Sequence, residues 1–397
     1  MRRRFLIAVS AAILCTPLVA RGQDTRAGMI AAEQADKATR LAPRVPSRAE
    51  EYLLIASNVL SGQPKSFYPY FDSVYSGGGF TLGAGYRKFT GDRTNWNVAG
   101  LYSVKNYKLV ETTWQSPGHA SGRFDARVNA GWRDATEVAF YGLGTDSSPD
   151  DATAFRMQQT FAGGQISLHP FGAKVAISAG VTYEGYTLKS APDDLRSIED
   201  VFTPATAPGL GENPDFVHTM MSAGFDSRPA ADYARHGGFY EIAHHRYVDL
   251  DEAYSFERLD AEVVQHVPIL RETWVLSLHG RLQSTLDDAD AVPYFLLPAL
   301  GSGSTLRAYH SWRFRDRHSL LMSAEWRWIV NRLGLDMALF YDAGTVANRF
   351  DALTLRDVAT DVGVGVRFHG PFTTPLRVEL VHGREGFNVV FSASSAF

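Results

Sequence analysis

The chain has very little cysteine, and this limits the chemistry that it carries. Cys15 is the only cysteine among 397 residues, and it lies in an N-terminal segment that we expect to be removed. The mature chain then has no disulfide, no thiolate metal site and no cysteine nucleophile. The residues before it, Ala12-Ile13-Leu14, lack the small side chains expected ahead of a lipidated cysteine, so we interpret Cys15 as having no role of its own.

Positive charge, long apolar runs and catalytic motifs are also scarce. The formal net charge is -4 with a pI near 6.3, so the chain has no basic field for nucleic acid. After the N-terminus no apolar run reaches the roughly 18 residues that a membrane helix needs. G-x-S-x-G, H-E-x-x-H and Gly-rich phosphate loops are missing. We therefore predict that the protein is not an enzyme and uses no cofactor.

The N-terminus has the composition of an export signal. Arg2 to Arg4 precede the apolar run Phe5 to Leu18, and small residues follow. This order is typical of a secretory signal peptide over residues 1–22, with cleavage expected near Ala20-Arg21-Gly22. A membrane anchor is the alternative, but the run is short for spanning a bilayer.

Residues 23–75 differ from the rest of the chain. Met29 to Leu41 is alanine-rich with a helical period, and Ser47 with Glu50 forms a capping-box pattern. About 50 residues without cysteine seldom hold a core alone. We predict a short periplasmic, helical segment over 23–75 and a barrel domain over 76–397.

From Gly77 onward, apolar and polar residues alternate one by one. Such a period of two predicts strands with one apolar and one polar face. The clearest polar faces carry Ser277 and His279, then Ser323, Glu325 and Arg327, then Gly363, Gly365 and Arg367, and finally Arg377 and Glu379.

This pattern favours an all-β, transmembrane antiparallel β-barrel. The apolar faces are rich in aromatic residues near strand ends, and short turns alternate with long polar loops such as 192–214. A barrel also removes exposed sheet edges. A soluble β-sandwich is the alternative. We predict 16 strands, with 12 or 14 as alternatives, the first near Phe80 to Tyr86.

One Gly/Ser turn stands out among the predicted loops. Gly301 to Thr305 leads directly to Arg307, about three quarters of the way along the chain. Alternation places Asp342 and Glu325 on the polar, inward faces of the two following strands. A carboxylate offers an arginine a bidentate, charge-assisted bond. We predict that Arg307 reaches Asp342, with Glu325 as a second partner; the alternative leaves Arg307 on an external loop tip.

Several stretches together resemble one family. Leu306-Arg307-Ala308-Tyr309 resembles the (V/I)-R-G-(F/Y) loop of the outer-membrane assembly superfamily that includes BamA, TamA and FhaC. Phe340 to Gly344 is similar to its F-x-D-x-G strand motif. Further similarity covers two turns and the end of the chain, namely Asp226-Ser227-Arg228-Pro229 with His236-Gly237-Gly238-Phe239, Tyr141 to Asp146, and the final aromatic Phe397.

The resemblance, which covers Gly77 to Phe397, implies a barrel in the outer membrane of a Gram-negative bacterium that acts in protein insertion or translocation. It implies client proteins as partners, with outer-membrane lipid around the barrel and the barrel-assembly machinery for its own insertion. Two features depart from the family: Ala308 replaces a glycine, and 23–75 is too short for a POTRA domain, so a separate periplasmic partner is expected. The alternative function is a passive pore for small solutes, with the arginine loop as its constriction.

The C-terminus predicts an assembly signal. Phe391 and Phe397 share the apolar face of the last predicted strand, which runs from Asn388 to Phe397, with Phe387 and Val389. An unpaired strand with a terminal aromatic offers both an edge and an anchor to an assembly machine.

Two groups of polar residues contain metal-ligating side chains, but neither has the arrangement of a metal site. The histidines are scattered, and His244 and His245 are adjacent and face opposite sides of a strand. The acidic run lacks a full calcium loop with its glycine. These residues are His236, His244, His245, His266 and His279, and Asp287, Asp288 and Asp290.

Overall fold

The computed structural model describes Glu33 and residues 66–270, 272–288, 291–331, 334–370, 374, 376–392 and 394–397. The predicted signal peptide and nearly all of the predicted helical segment lie outside these residues. Contacts within the chain separate two compact units, Met1–Leu54 and Ile55–Phe397. All of the strands among the described residues lie in the second unit.

Strands dominate the second unit. Sixteen of them form one antiparallel sheet in which neighbours in sequence are neighbours in space, and this confirms the predicted all-β class and strand number. Two further short strands, β12 and β13, pair with each other in the connection between β11 and β14. The strands are β1 Ser66–Tyr70, β2 Thr81–Phe89, β3 Asn95–Ser103, β4 Lys108–Gly118, β5 Phe124–Phe140, β6 Thr153–Leu168, β7 Val175–Ser190, β8 Asp215–Asp226, β9 Gly237–Asp249, β10 Phe256–Ile269, β11 Trp274–Thr285, β12 Ala299–Leu300, β13 Phe314–Arg315, β14 His318–Asn331, β15 Leu335–Ala347, β16 Ala359–Phe368, β17 Leu376–Gly383 and β18 Gly386–Ser392.

Among the described residues, helical structure is limited to short connections. These include 3₁₀ segments at Pro149–Asp151, Ile198–Asp200, Tyr294–Leu296 and Phe350–Ala352. A four-residue segment, His119–Gly122, turns the chain between β4 and β5 with left-handed residues inside it. No helix among the described residues is long and apolar enough to cross a membrane.

The sheet begins earlier than the alternation predicts. β1 lies inside the range 23–75, and the strand expected to be first, near Phe80 to Tyr86, is β2. β1 has only five residues and contains Pro69, which has no N–H to give to a ladder. A strand this short shows no readable period. It stands at one end of the sheet and pairs only with β2, while β18 stands at the other end.

The two faces of the strands differ as expected. On β11 the side chains of Val275, Ser277 and His279 are buried, while Trp274 and Leu278 are exposed. The exposed face carries large apolar side chains along the whole sheet, including Val98, Val110, Val181, Ile242, Val364 and Leu380. This is the surface that lipid would cover in a barrel.

Long loops converge at one end of the strands, which we call the loop end, and short turns lie at the other, the turn end. At the loop end the interior contains an aromatic core. Tyr294 contacts Phe140 and Phe155 edge to face, with ring centroids 5.3 and 4.9 Å away. Phe295 continues the core to Tyr186. A wet, polar lumen was expected here, so the sequence pattern missed this core.

Candidate functional site

The loop that follows β12 brings Arg307 into the interior of the sheet. The Arg307 side chain is only about 2% exposed. Its Nε lies 2.9 Å from Oδ2 of Asp342, and its Nη1 lies 3.2 Å from Oε2 of Glu325. Nη1 also donates to Oε1 of Glu379 at 2.9 Å. The structure thus places Arg307 against both predicted carboxylates and adds a third.

The loop packs against the F-x-D-x-G stretch of β15. The guanidinium carbon of Arg307 lies 3.7 Å from the centroid of the Phe340 ring, a cation–π contact. Asp342, two residues on, points the same way and is fully buried. A Cβ at Gly344 would lie 2.8 Å from Leu300 and 3.4 Å from Leu306. Glycine is therefore needed where the loop packs directly on the strand.

Arg307 belongs to a larger buried cluster of charges. Arg367 contacts Glu325 and lies 2.9 Å from Glu379. Arg377 lies 3.2 Å from Glu379. With Arg327 and Asp361 the cluster contains four arginines and four carboxyl groups. Buried ion pairs of this kind cost desolvation, and removing a single partner leaves an uncompensated buried charge.

Burial alone would lower the pKa of Arg307, because it disfavours the charged form. The surrounding Asp342, Glu325 and Glu379 outweigh this effect and raise the pKa above the usual arginine value. Arg307 is therefore a permanent cation whose position is fixed by three carboxylates. It has no acid–base chemistry to offer, and its role is to hold the loop in place.

The residues beside Arg307 tie the rest of the loop to the wall. Leu306 is fully buried in an apolar cluster with Leu300 and Phe314. The backbone N–H of Ala308 donates to Oδ2 of Asp361 at 3.0 Å, and the Tyr309 hydroxyl donates to the Thr360 carbonyl at 3.1 Å.

Alanine at the family's glycine position is accommodated without backbone strain. The backbone φ of Ala308 is not positive. Its Cβ faces Gly383 on β17, where an added Cβ would lie only 2.8 Å away. The glycine that this close approach requires is thus on the opposing strand.

Three members of the cluster, Arg367, Arg377 and Glu379, were not predicted as partners of the loop. All three stand on the polar faces read from the alternation, so their inward direction was visible in the sequence. Their level along the barrel axis relative to the loop was not visible in the sequence. Alternation predicts which face of a strand a residue occupies, but it does not predict the register between strands. The contact of Asn388 Nδ2 with the Arg307 carbonyl, at 2.8 Å, was missed for the same reason.

The other family-like stretches support the loop or shape a hairpin. In the turn Tyr141 to Asp146, the Gly144 N–H donates to the Arg315 carbonyl at 2.9 Å, and the Thr145 hydroxyl donates to the Val346 carbonyl at 2.9 Å. In the β8–β9 connection, Arg228 pairs with Asp226 at 3.1 Å. Gly237 there has a positive φ and no room for a side chain beside the Ser227 carbonyl.

The two C-terminal aromatics lie on different sides, contrary to the expectation of one shared face. Phe391 is 71% exposed on the outer surface of β18. The strand ends at Ser392, and the Ser395 N–H donates to Oδ1 of Asp232 at 2.7 Å. Phe397 then stacks inside on His279, with centroids 4.9 Å apart. The prediction failed because it continued the alternation past the end of the strand.

The residues weighed as metal sites are dispersed. Among the described residues, no group of three or more His, Cys, Asp or Glu side chains could hold a metal ion. His244 faces Glu257, while His245 faces His218 on the other side of the sheet. Asp290 lies outside the described residues.

An antiparallel sheet of 16 strands with an arginine loop fixed in its interior defines a β-barrel plugged by one of its own loops. The sequence profile described as the Omp85 superfamily domain matches residues 88–381. The chain therefore belongs to the Omp85 superfamily, which indicates a protein of the bacterial outer membrane.

Solved structures support the fold. BamA from Haemophilus ducreyi lacking POTRA domains 1-3 is similar with a TM-score of 0.61 and 15% identity, over 82% of this chain and 69% of that one. CdiB from Escherichia coli is similar with a TM-score of 0.55 and 12% identity, over 82% of this chain and 61% of that one. CdiB from Acinetobacter baumannii is similar with a TM-score of 0.52 and 10% identity, over 79% of this chain and 56% of that one. The chain thus spans less than two thirds of either CdiB chain. No curated protein matches it.

Proposed function

We propose that the protein acts in the insertion or translocation of proteins at the outer membrane, by strand pairing and without enzymatic chemistry. The observation that carries the proposal is the pair of open edges, β1 and β18, at the two ends of the sheet. An edge strand presents unpaired N–H and C=O groups to any further strand. A client strand would add to this edge as an extra strand of the sheet.

Both edges are short, which favours an opening between them. β1 has five residues and β18 has seven, whereas β5 and β6 have 17 and 16. Few ladder bonds can form between two such strands. Pro69 removes one further donor from β1. A seam made of these strands would be the weakest of the barrel.

The arginine loop supports β18 from inside. Asn388 on β18 donates to the Arg307 carbonyl, and an added Cβ at Gly303 would lie 2.7 Å from Val390. The loop thereby connects this edge to the charge cluster on β14 to β17. In the proposed mechanism the loop holds β18 in a pairing-ready position while β1 moves away.

The aromatic core argues against the alternative of a passive pore. A pore needs a continuous aqueous path, whereas Tyr294, Phe295 and Leu297 fill the interior at the loop end with side chains no more than 5% exposed. Steady single-channel conductance that changes in Arg307→Ala would favour the pore. Low, irregular conductance fits a plugged barrel.

The proposed partners follow from this mechanism. Clients would be unfolded outer-membrane or secreted proteins with strands able to pair at an edge. A separate periplasmic protein would deliver them, and the barrel-assembly machinery would insert the protein itself. Co-purification from membranes with a periplasmic receptor would support this arrangement.

Cross-linking of the edges tests the proposal. In a Cys15→Ser background, Phe67→Cys on β1 and Phe391→Cys on β18 place two thiols on the outer surface, where both side chains are exposed. Bismaleimides of increasing length would then join the edges. The readout is folding of a small outer-membrane barrel added unfolded to proteoliposomes, measured by heat-modifiable mobility. We expect the joined edges to lower the yield at least tenfold.

The matched control joins two strands that are already paired. Leu380 on β17 and Val389 on β18 are register partners, and both side chains are about half exposed. Leu380→Cys with Val389→Cys should leave the yield unchanged after cross-linking. If the joined β1–β18 variant inserts the client as well as this control does, the edge is not the route.

A further inference from the structure

The inner face of β5 to β9 encloses a cavity that the proposed function does not use. Its volume is about 370 Å³, within the range of small-molecule sites. None of its lining residues belongs to β14 to β17, against which the arginine loop packs. Most of the lining residues are polar, and they include Arg127, Asn129, Arg133, Thr182, Glu184 and His218.

Two arginines of the cavity wall form no ion pair. Arg127 and Arg133 stand on β5 six residues apart and thus on the same face, and neither makes an ion pair with any described residue. Exposed Arg349, by contrast, pairs with Asp351 at 2.6 Å. A cation that faces the interior of a barrel attracts anions more strongly than a cation on the outer surface, because less solvent screens it.

Arg133 is the more constrained of the two. Its guanidinium carbon lies 5.5 Å from the Tyr75 ring centroid and 5.8 Å from that of Phe161. Nη1 donates to Oε1 of Gln159 at 3.1 Å, while the buried Nε has no hydrogen-bond partner. A buried donor without an acceptor costs free energy that a bound anion would recover.

The one carboxylate that lines the cavity is already engaged. Oε1 of Glu184 contacts Nδ1 of His218 at 2.8 Å, and Oε2 accepts hydrogen bonds from Tyr186 and Gln159. Glu111 on the neighbouring strand interacts electrostatically with Arg127 and Arg133, but it forms no ion pair with either and does not line the cavity. The free hydrogen-bonding capacity of the wall is therefore dominated by guanidinium, amide and hydroxyl groups.

A further buried arginine adds positive charge beyond the cavity. Arg315, at 1% exposure, makes no ion pair with a described residue, and its Nε and Nη2 have no hydrogen-bond partner. Tyr75 stacks on Trp312 at 4.9 Å, and Arg315 lies 5.2 Å from that Trp312 ring. The rings of Tyr75 and Trp312 thus separate Arg133 from Arg315.

We propose that this cavity binds a small polar anion, with a carboxylate or phosphate group at Arg127 or Arg133 and hydroxyl groups at Asn129 and Thr182. An acidic or phosphorylated sugar has this chemistry. Arginine recognises both acid groups through paired N–H donors. The site would act independently of strand pairing at the β1–β18 edges.

Isothermal titration of the full chain in non-ionic detergent tests the proposal with three probes. Glucose 6-phosphate and glucuronate carry the acid group, and glucose is the neutral control. We expect at least one acidic probe to bind and glucose not to bind. Arg127→Gln and Arg133→Gln should each weaken binding at least tenfold, and Arg133→Lys should weaken it less than Arg133→Gln.

Arg349→Gln removes an exposed, paired arginine and should leave binding unchanged. Heat-modifiable mobility verifies that each variant is folded; Arg127 is exposed, so its variant provides the result if Arg133→Gln does not fold. Absence of binding of both acidic probes, equal binding of glucose, or undiminished binding in folded Arg127→Gln would each overturn the proposal. Binding by the cross-linked β1–β18 variant would separate this site from the insertion activity.

Discussion

The arginines that face the interior are ion-paired on one side of the barrel and line a cavity without ion pairs on another. On the side of β14 to β17, four arginines meet four carboxyl groups around the loop, and Arg307 alone contacts three of them. On the side of β5 to β9, Arg127 and Arg133 line a cavity, and neither forms an ion pair with a described carboxylate. The first side is packed and holds a loop. The second is open and positively charged, so it has the properties of a binding surface.

The difference shows that the inward direction of a charged side chain does not decide whether it is ion-paired. The same alternation places Arg133 and Arg367 on the inner face, yet Arg367 is held by Glu325 and Glu379. What distinguishes them is the loop, which displaces water around Arg367. The cost of leaving a charge unpaired grows as water is removed.

The largest loss of stability is expected from Glu325→Gln. This change keeps the shape of the side chain but leaves Arg307 and Arg367 short of a charged partner in a buried site. We expect a loss of about 3–5 kcal/mol in the free energy of unfolding, measured by urea titration in detergent micelles. Glu257→Gln is the matched control, because the Glu257 side chain is 38% exposed. It should change stability by at most about 1 kcal/mol.

Asp342→Ala should have a smaller effect than Glu325→Gln. Arg307 loses its 2.9 Å contact but keeps Glu325 and Glu379. We expect up to about 3 kcal/mol of destabilisation, at the low end for a broken buried pair. Heat-modifiable mobility and protease resistance identical to the unchanged protein would show that this pairing does not hold the loop.

Gly383→Ala tests the close packing of the loop on β17. The new Cβ would lie 2.8 Å from that of Ala308, and overpacking of this kind costs about 1–3 kcal/mol. Adding Ala308→Gly should restore most of the loss. Gly280→Ala on β11 is the control, since nothing lies within 4 Å of its added Cβ. Equal stability of Gly383→Ala and Gly280→Ala would show that the loop does not pack closely on Gly383.

The smallest effect on stability is expected on the open side. Arg127→Gln removes a cation that has no ion-pair partner, so the free energy of unfolding should change by no more than about 0.5 kcal/mol. The same urea titration measures it. A loss comparable to that of Glu325→Gln would mean that the two sides of the interior are equally packed.

Much of the fold and part of the site were predictable from the sequence. A period of two gave the faces of β11, β14 and β16, and it identified Asp342 and Glu325 as inward carboxylates. Long-range register was beyond its reach, so the contact of Arg307 with Glu379, 72 residues away, was missed. β1 was missed because five residues with a proline show no period. The inward turn of Phe397 depends on Asp232, a loop residue far away in sequence.

A double-mutant cycle on Arg307 and Asp342 tests whether this pair fixes the loop inside the barrel. The free energies of unfolding of Arg307→Ala, Asp342→Ala and the double variant would be compared with that of the unchanged chain. If the loop is fixed inside the barrel by this pair, the two substitutions should be non-additive by more than about 1 kcal/mol, within the range for residues in contact. Additivity within about 0.3 kcal/mol would contradict the account.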